Sequence, residues 1–296
     1  MLEAIAKQLV KFALSEDVGD GDITTLNVLR SGVRARGSII AKQDATVAGL
    51  EVARLTFLEL EPTFKFETLV QDGAVVESGT AVARLTGPAS ALLTGERTAL
   101  NFVQRLSGVA TLTRRYVDAV MGTNAVILDT RKTTPGLRYL EKYAVTRGGG
   151  QNHRYGLWDM YLIKDNHIRT AGGVTAAIEM IQRTRQEALL EVEVESMEQL
   201  REALRPEVDR ILVDNQPPED VRHAVAEVDR YARVHAEAAP RRRAGARRWP
   251  EVEVSGGIRL DNVRGYAETD VDYISVGALT HSAAAVDFNL EIEEVG

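Results

Sequence analysis

Basic residues are concentrated in one segment of this chain, from Ile127 to Ile168. Seven basic side chains stand there against four acidic ones, which leaves a net charge of +3, whereas the whole chain has a net charge of −7. A local positive region on an acidic protein predicts a pocket for a small, highly charged anion. A nucleic-acid surface would instead need a broad basic face and usually a basic domain.

The cations of this segment differ in what they can bind. The guanidinium groups of Arg131 and Arg154 can hold a carboxylate through two parallel hydrogen bonds, and Arg97, further toward the N-terminus, is a third candidate. Lys132 and Lys164 carry compact point charges on flexible stems, which suit phosphate. The set therefore predicts a ligand that carries both carboxylates and phosphates.

Acidic residues follow a strand pattern downstream of this segment. Glu191, Glu193 and Glu195 alternate with valines, so they share one face of their strand, and Asp214 ends the next predicted strand. On a sandwich that face would be solvated, whereas in a barrel it points inward. Two such carboxylates suit a Mg²⁺ ion that is held partly by the protein and partly by substrate phosphates.

Two glycine-containing turns follow the last two predicted strands. They are Ser255–Gly257 and Val276–Ala278, and their glycines allow backbone N–H groups to approach a phosphate closely. A glycine pair alone is a weak signal, but the last two loops of a βα barrel are its usual phosphate site. His153 has two interpretations of equal weight, a ligand that donates to a carboxylate and a structural histidine.

The elements that would position these residues follow from the hydrophobic pattern. The first region mixes β-rich stretches at 33–48 and 64–86 with a helix at 50–60, and a long helical pattern covers 89–120. Beyond residue 124, short β-branched runs alternate with helices. The predicted strands are Val126–Leu128, Tyr161–Ile163, Leu189–Val194, Arg210–Val213, Glu251–Val254 and Tyr273–Val276. The predicted helices are 136–147, 173–187, 197–204, 217–230 and 260–268.

Each of the six predicted strands ends in polar or glycine residues. Alternating strands and helices indicate a parallel sheet, and an α/β barrel carries its chemistry at the carboxyl ends of its strands. Six such endings therefore predict one shared site.

Composition excludes several protein classes. The chain has 296 residues, 44% hydrophobic and 27% charged, as in an ordinary globular protein. It has no cysteine, which rules out a thiolate metal site or a cysteine nucleophile. The N-terminus does not resemble a signal peptide, and no apolar run approaches the roughly 20 residues of a membrane span. These features predict a cytoplasmic protein without a membrane partner.

An arginine-rich stretch covers residues 231–250 and interrupts the βα pattern. We expect a solvated, mobile insertion there. The alternative is an arm that binds nucleic acid or an acidic partner.

Several motifs closely resemble those of the quinolinate phosphoribosyltransferase family. They are DTRKTTPGLR (129–138), EKYAV (141–145), GGGQNHR (148–154), LIKDNHI (162–168), EVEVES (191–196), VDN (213–215), SGGI (255–258) and VGALTHS (276–282). EDVGDGDITT (16–25) and GERTALNFVQRLSGVAT (95–111) resemble the same family. The resemblance covers nearly the whole chain in order.

The resemblance implies a fold and a reaction. The fold would be an N-terminal α/β sandwich domain (1–113), an incomplete, open α/β barrel of parallel strands (114–282) and a C-terminal tail (283–296) that packs back on the first domain. The reaction would join quinolinate and phosphoribosyl pyrophosphate to give nicotinate mononucleotide, pyrophosphate and CO2, with Mg²⁺, in a homodimer.

The resemblance also implies residue roles. Arg131, His153, Arg154 and Lys164 would form the quinolinate pocket, and Arg97 would reach it from the partner subunit. The implied catalytic residues are Lys132, Lys164, Glu193 and Asp214, with the last two on the ribose and the metal. The other implied substrate-binding residues, the phosphate loops among them, are Thr130, Ser255, Gly256, Gly257, Gly277, Ala278 and His281.

Three alternatives remain at this point. One is a phosphoribosyltransferase for nicotinate or another carboxylated heterocycle. Another is an aldolase-type lyase that forms a Schiff base through Lys132 or Lys164. The third is a regulatory protein that binds phosphorylated ligands without catalysis.

Overall fold

The computed structural model describes residues 2–30, 32–184, 187–235 and 248–295, which form two compact units. The first unit comprises Met1–Arg114, Lys132–Gly150 and Leu279–Gly296, and the second comprises Arg115–Arg131 and Gln151–Ala278. The units are groups of mutually contacting residues. The domain ranges 1–113, 114–282 and 283–296 stay a prediction.

Helices and strands alternate along most of the chain. The strands are β1 (Arg34–Ala41), β2 (Ala45–Thr46), β3 (Lys65–Thr68), β4 (Val75–Val76), β5 (Ala81–Pro88), β6 (Val126–Leu128), β7 (Tyr161–Ile163), β8 (Leu190–Val194), β9 (Arg210–Asp214), β10 (Glu251–Ser255), β11 (Tyr273–Ser275) and β12 (Phe288–Val295). The helices are α1 (Leu2–Val18), α2 (Ile23–Val28), α3 (Leu50–Leu60), α4 (Ala89–Ala119), α5 (Arg138–Arg147), α6 (Asp165–Ala171), α7 (Val174–Gln182), α8 (Met197–Ala203), α9 (Pro218–Val234), α10 (Val263–Ala267) and α11 (Ala278–His281).

An antiparallel sheet forms the centre of the first unit, with the strand order β12-β1-β5-β3. β1 pairs with β5 on one side and with β12 on the other, so the C-terminal strand completes a sheet that begins near the N-terminus. Ile39, Leu85 and Phe288 lie in its core with Phe57 of α3 and Leu92 of α4. Burial of these large apolar side chains is the main driving force for the folding of this unit.

Local capping explains where two helices of the first unit begin. Asp22 accepts hydrogen bonds from the backbone N–H groups of Thr24 and Thr25 at 3.1 and 2.9 Å, which starts α2. α3 follows Gly49, which has a φ of +98°. A Cβ there would lie 2.8 Å from Leu106, so both the backbone conformation and the close approach require glycine.

A parallel sheet forms the centre of the second unit, with the strand order β6-β11-β10-β9-β8-β7. Val192, Ile211 and Val252 pair across the sheet and are buried on one face, and Glu191, Arg210 and Glu251 are buried on the other, so both faces of the sheet are covered. β6 and β7 lie at the two ends of this order, and among the described residues no ladder joins them, so the sheet is open. The predicted fold class is confirmed: a small N-terminal sheet and a six-stranded parallel sheet in an α/β protein.

The arginine-rich stretch differs from its prediction at both ends. Residues 231–234 continue α9 beyond the predicted end at 230, and the ring of Tyr231 stacks on that of His235 at the end of the helix. Arg248 is buried, with guanidinium nitrogens 3.0–3.1 Å from carboxylate oxygens of Asp229, Asp270 and Asp272. The predicted solvated, mobile insertion is therefore wrong for 248–250, which are buried, and 231–234 belong to a helix instead of an insertion. Residues 236–247 lie outside the described residues. Across the described ranges, no helix is both long and apolar enough to cross a membrane.

Candidate active site

The second unit brings several of the predicted site residues to one edge of its sheet. In the parallel register Ile163 pairs with Val192, Val194 with Val213, and Ser255 with Asp214. β7, β8, β9 and β10 therefore end side by side. Lys164, Glu193, Asp214 and Ser255 lie at or next to these ends, as the sequence predicted for a shared strand-end site.

Lys164 is held at the start of α6, directly after β7. Its backbone N–H donates to Nδ1 of His167 at 3.0 Å, which closes the turn of the Lys164-Asp165-Asn166-His167 motif. Its Nζ donates to Oε2 of Glu193. The side chain of Lys164 is 44% exposed and that of Glu193 is 8% exposed, so the ion pair lies at the boundary between the sheet interior and solvent.

The electrostatic environment of Glu193 differs from that of an ordinary carboxylate. Burial raises the pKa of Glu193, the hydrogen bond and charge of Lys164 oppose this, and the negative charge of Asp214 raises it again. The net pKa is above the usual value. The influence of Asp214 places its charge in the neighbourhood of Glu193, at the ends of the adjacent strands β9 and β8.

Asp214 is held by both of its carboxylate oxygens. Oδ1 accepts from Oγ of Ser255 at 2.6 Å, and Oδ2 accepts from Nδ2 of Asn215 at 2.7 Å. The backbone N–H of Asn215 donates to the carbonyl of Ser255 at 2.9 Å, and Asn215 adopts a φ of +53°. The Asp214 turn and the Ser255 loop are thus joined into one structure.

The first glycine of the Ser255–Gly257 loop is required by space and by backbone conformation. Gly256 has a φ of +90°, and a Cβ at this position would lie 2.1 Å from Oδ1 of Asn215. Gly257 also has a positive φ, but the space around its missing Cβ is open. Backbone N–H groups in such a turn are accessible to an anion.

Arg131 and Arg154 lie close enough to influence each other. Burial lowers the pKa of Arg154, and the positive charge of Arg131 lowers it further. Arg154 donates through Nη1 to the carbonyl of Met160 at 3.2 Å, which leaves most of its donors for other partners. Two guanidinium groups that repel each other favour the binding of an anion with more than one negative charge.

His153 is anchored in the second unit by its backbone and its ring. Its backbone N–H donates to Oδ1 of Asp129 at 2.9 Å, and its Nδ1 accepts from the backbone N–H of Arg154 at 2.8 Å. Its Nε2 lies 3.0 Å from Oε2 of Glu191 and 3.5 Å from Oε1 of Glu253. In this conformation both ring nitrogens face protein groups, and the contact of His153 with quinolinate stays a prediction.

The charge state of the His153 ring is subject to opposing influences. Burial lowers the pKa of His153, whereas the carboxylates of Glu253 and Glu191 outweigh that effect and raise it. The N–H of Arg154 that points at Nδ1 favours a neutral ring. Because this hydrogen bond leaves no room for a proton on Nδ1, we assign the proton to Nε2, facing Glu191.

A buried network of charges lies next to His153 and was missed by sequence reasoning. Arg210 donates to Glu253 at 2.9 Å and to Glu251 at 3.2 Å, and its guanidinium carbon lies 3.9 Å from the ring centre of Tyr273. The hydroxyl of Tyr273 donates to Glu251 at 3.0 Å. The signal was available, because EVEV at 251–254 repeats the inward-facing pattern of EVEV at 191–194.

Two groups of side chains in the second unit have metal-ligand character. In the described ranges, His153, Glu191 and Glu253 have ligand atoms within 4.8 Å of one another. Arg210 and His153 already face these carboxylates, so we assign the group a structural role. Glu193 and Asp214 would suit a hard cation better, because they offer carboxylate oxygens at the ends of β8 and β9, where Asp214 is half-buried.

The remaining predicted residues are distributed over both units. Thr130, Gly277 and Ala278 belong to the second unit, and Arg97, Lys132 and His281 belong to the first. The latter three side chains are exposed. Within the first unit, the hydroxyl of Thr280 donates to the carbonyl of Lys132 at 2.8 Å, which connects the DTRK segment to the turn of His281.

Comparison with known proteins shows the family. The model of the N-terminal domain of quinolinate phosphoribosyl transferase matches residues 22–107, and the model of its C-terminal domain matches residues 109–291. The chain belongs to the quinolinate phosphoribosyltransferase family. Similar relatives include the probable nicotinate-nucleotide pyrophosphorylase [carboxylating] of Bacillus subtilis, 40% identical over 97% of this chain and 93% of the relative. The nicotinate-nucleotide pyrophosphorylase [carboxylating] of Mycobacterium leprae is 42% identical over 97% of both chains.

Solved structures of this family have the same fold. The nicotinate-nucleotide pyrophosphorylase from Francisella tularensis is 34% identical and has a TM-score of 0.88, over 98% of this chain and 97% of the other. The one from Ehrlichia chaffeensis is 36% identical and has a TM-score of 0.86, over 97% of this chain and 98% of the other. The likeness thus extends over both units.

Proposed function

We propose that this enzyme transfers a phosphoribosyl group from phosphoribosyl pyrophosphate to quinolinate and decarboxylates the product, which gives nicotinate mononucleotide, pyrophosphate and CO2. The observation that carries the proposal is the strand-end cluster of Lys164–Glu193 and Asp214–Ser255 in a chain of this family. The reaction is a step of de novo NAD biosynthesis.

The carboxylates of quinolinate would be bound by cations of the second unit. Arg131 and Arg154 each offer a planar fork of donors, and the charge of Arg131 lowers the pKa of Arg154, so an anion with two carboxylates would be favoured near them. Lys164 and the predicted contact of His153 would complete the pocket. A dicarboxylate fits this set better than nicotinate does, because surplus unpaired cations in a closed pocket are unfavourable.

The phosphoribosyl donor would be bound by the carboxylates and the glycine loop. Backbone N–H groups of Ser255, Gly256 and Gly257 would donate to its 5-phosphate. Gly277, Ala278 and His281 would contact the same phosphate. Lys132 would contact the phosphates of the donor, and Thr130 would complete the pocket. Glu193 and Asp214 would hold a Mg²⁺ ion together with the pyrophosphate, and the ion would offset the charge of pyrophosphate as it leaves.

The first chemical step would form the glycosidic bond. The pyridine nitrogen of quinolinate attacks C1′ of the ribose while the bond from C1′ to the pyrophosphate oxygen breaks and its electron pair leaves with pyrophosphate. Positive charge develops on the ribose, and the carboxylates of Glu193 and Asp214 stabilise it. Burial raises the pKa of Glu193, and the hydrogen bond and charge of Lys164 oppose this and favour the ionised form that this task requires.

The second chemical step would release CO2. The ring nitrogen now carries a positive charge, so the electron pair of the bond to the 2-carboxylate can remain on C2 as CO2 departs. C2 then takes up a proton from water. Arg131 and Arg154 orient the carboxylates during this step, and a cation on the remaining 3-carboxylate keeps the ring in place.

The assembly and location of the protein are further parts of the proposal. We propose a homodimer in which Arg97 reaches the active site of the partner subunit. Its support is the exposure of Arg97 on α4 together with its ERTALN motif, which resembles the family. We also propose a cytoplasmic location, which the absence of cysteine supports.

One assay tests the reaction. CO2 release is measured from quinolinate labelled in its 2-carboxylate, with phosphoribosyl pyrophosphate and Mg²⁺, beside a parallel assay of mononucleotide formation from nicotinate. Release that needs both the donor and the metal supports the proposal. Mononucleotide formation from nicotinate without CO2 release from quinolinate would change the assignment to a nicotinate phosphoribosyltransferase. No product from either substrate would favour a binding protein. Covalent trapping of an aldehyde or ketone substrate on Lys132 or Lys164 by borohydride would instead indicate a Schiff-base lyase.

A further inference from the structure

A buried ion pair in the first unit connects helix α4 to the segment that carries Lys132. Glu141 of α5 is fully buried, and the side chain of Arg105 of α4 is 25% exposed. Nη2 and Nε of Arg105 donate to Oε1 of Glu141 at 2.6 and 3.1 Å. Neither residue has a role in the proposed chemistry, although both lie in motifs that resemble the family.

The carboxylate of Glu141 holds the backbone of the Lys132 segment. Its Oε2 accepts from the backbone N–H of Thr134 at 2.9 Å, and its Oε1 accepts from the Thr134 hydroxyl at 2.8 Å. Residues 132–137 lie between β6 and α5 and contain neither helix nor strand. Their conformation therefore depends on such side-chain hydrogen bonds, and Thr134 is two residues from Lys132.

The guanidinium of Arg105 holds the backbone on both sides of His281. Nη2 donates to the carbonyl of Thr280, and Nη1 donates to the carbonyl of Ala283 at 2.8 Å. The Thr280 hydroxyl in turn donates to the carbonyl of Lys132 at 2.8 Å. One arginine thus connects the turn of His281 with the loop of Lys132, because it contacts Glu141 and Thr280 at once.

The face of α4 around Arg105 also contacts the C-terminal segment 284–286. A Cβ on Gly108 would lie 2.1 Å from the carbonyl oxygen of Ala284, so this glycine allows the helix and the segment to touch. One turn before Gly108, the carbonyl of Gln104 accepts from the backbone N–H of Val286 at 3.1 Å. Arg105 therefore acts from a helix that is already fixed against residues 284–286.

We propose that Arg105 and Glu141 are positioning residues that hold Lys132 and His281 in the geometry needed to bind the phosphates of the donor. The inference rests on the proposed function for the identity of that donor. Arg105 and Glu141 contact no substrate; they act through the backbone of the two segments whose exposed side chains, Lys132 and His281, would reach it. Their loss should affect the donor much more than quinolinate.

The test compares Arg105→Lys with the wild type. Lysine keeps the charge but cannot donate to Glu141, Thr280 and Ala283 at the same time. We expect the KM for phosphoribosyl pyrophosphate to rise at least tenfold, and the KM for quinolinate at saturating donor to change less than twofold. Glu141→Gln keeps the size and loses the charge, and should shift the donor KM in the same direction.

A matched control is provided by Arg54 and Glu51 in the same unit. Arg54 donates through Nε and Nη2 to Glu51 at 2.8 and 2.6 Å, so the pair has a similar fork, but it lies on the surface of α3. Arg54→Lys should leave both KM values within twofold of the wild type. Equal changes in both KM values for Arg105→Lys, or a lowered Tm with unchanged KM values, would overturn the positioning role.

A binding measurement separates this inference from the proposed reaction. Calorimetry with phosphoribosyl pyrophosphate and Mg²⁺ should give a Kd at least tenfold weaker for Arg105→Lys. If the wild type binds this donor but releases no CO2, the proposed reaction is refuted. The Kd values of the wild type and of Arg105→Lys still decide the positioning role. Should Arg105→Lys not fold, Thr280→Val removes only the hydroxyl that donates to Lys132. It should weaken donor binding severalfold, and an unchanged Kd would contradict the inference.

Discussion

Lys164 and Glu193 form a charge-assisted hydrogen bond at the adjacent ends of β7 and β8, with Nζ of the lysine donating to Oε2 of the glutamate. Burial and the nearby charge of Asp214 raise the pKa of Glu193, and Lys164 opposes both. The lysine thus favours the ionised form of a partly buried carboxylate, which in the proposed reaction would stabilise the positive charge on the ribose. In that proposal Lys164 would act on Glu193 as well as on quinolinate.

Replacing Lys164 by Met should therefore abolish most of the activity. We expect kcat to fall by about 10²–10³-fold, the range observed when a single electrostatic group of an active site is lost. Steady-state release of CO2 measures the effect. Arg169→Met is the control, since Arg169 lies on α6, the helix that follows Lys164, with its side chain 78% exposed. Retention of kcat within threefold in Lys164→Met would refute this role.

The Asp214 turn and the Ser255 loop should be sensitive to a single methyl group. Gly256→Ala places a Cβ 2.1 Å from Oδ1 of Asn215, whose amide nitrogen donates to Asp214. We expect at least a tenfold loss of kcat/KM for the donor, together with a loss of stability above the roughly 1–2 kcal/mol of a positive φ alone. Urea unfolding and donor kinetics measure the two effects.

Gly122→Ala isolates the backbone contribution to this effect. Gly122 has a φ of +82° and open space around its missing Cβ, so alanine there is strained without a clash. It should be destabilised by about 1–2 kcal/mol and keep its donor kinetics. Equal donor kcat/KM values and equal free energies of unfolding in Gly256→Ala and Gly122→Ala would mean that the contact with Asn215 has no functional consequence.

The six strands of the parallel sheet could be predicted from the sequence to within one residue at each end. Most of their residues are buried, and short runs rich in β-branched residues, which alternate with glutamate in β8 and β10, are visible in the sequence. The strand ends followed from the same reasoning, whereas the shared role of Asp214 and Glu193 stays a prediction. Leu50–Leu60 was likewise predicted at its observed bounds, since its apolar face packs on the antiparallel sheet.

Other parts could not be predicted, because tertiary contacts decide them. α6 (Asp165–Ala171) has no buried residue, so it leaves no apolar period. β12 pairs with β1, a partner some 250 residues away, and its alternation was not enough to identify a strand. The connection between Arg105 and the turn of His281 is also of this kind, because carbonyl acceptors carry no sequence signal.

The phenol of Tyr143 should give the protein a pH-dependent stability at alkaline pH. Its hydroxyl donates to Oδ2 of Asp72, which also accepts from the backbone N–H of Gly49 at the start of α3. Burial raises the pKa of Tyr143, and the charge of Asp72 and the hydrogen bond to it raise it further. The folded protein therefore binds the phenolic proton more tightly than the unfolded chain does.

The sign of the effect follows from that difference. The stabilising contribution is complete below the unfolded pKa of about 10 and is lost as pH rises toward the folded value. Tyr143→Phe should be less stable than the wild type by about 1 kcal/mol at pH 7, for one lost hydrogen bond. Above pH 10 the two free energies of unfolding should converge. Urea unfolding from pH 7 to 11 measures this, and parallel curves would contradict it.

The proposed role of Arg97 in the partner's active site can be tested by mixing two inactive variants. Arg97→Ala lacks the contributed arginine, and Lys164→Ala lacks a residue of the pocket that receives it. Coexpression in equal amounts gives hybrid molecules in half of the dimers. If Arg97 acts on the partner, one site of each hybrid has both residues intact, and the mixture should recover about a quarter of the wild-type activity.

The opposite arrangement gives a clearly different result. If Arg97 served the active site of its own chain, every site of every hybrid would lack one of the two residues, and the mixture would be as inactive as its components. Arg84→Ala coexpressed with Lys164→Ala is the control, because Arg84 lies on β5 and pairs at the surface with Glu67. That mixture should have about half of the wild-type activity, since every chain that keeps Lys164 has an intact site whichever chain it pairs with.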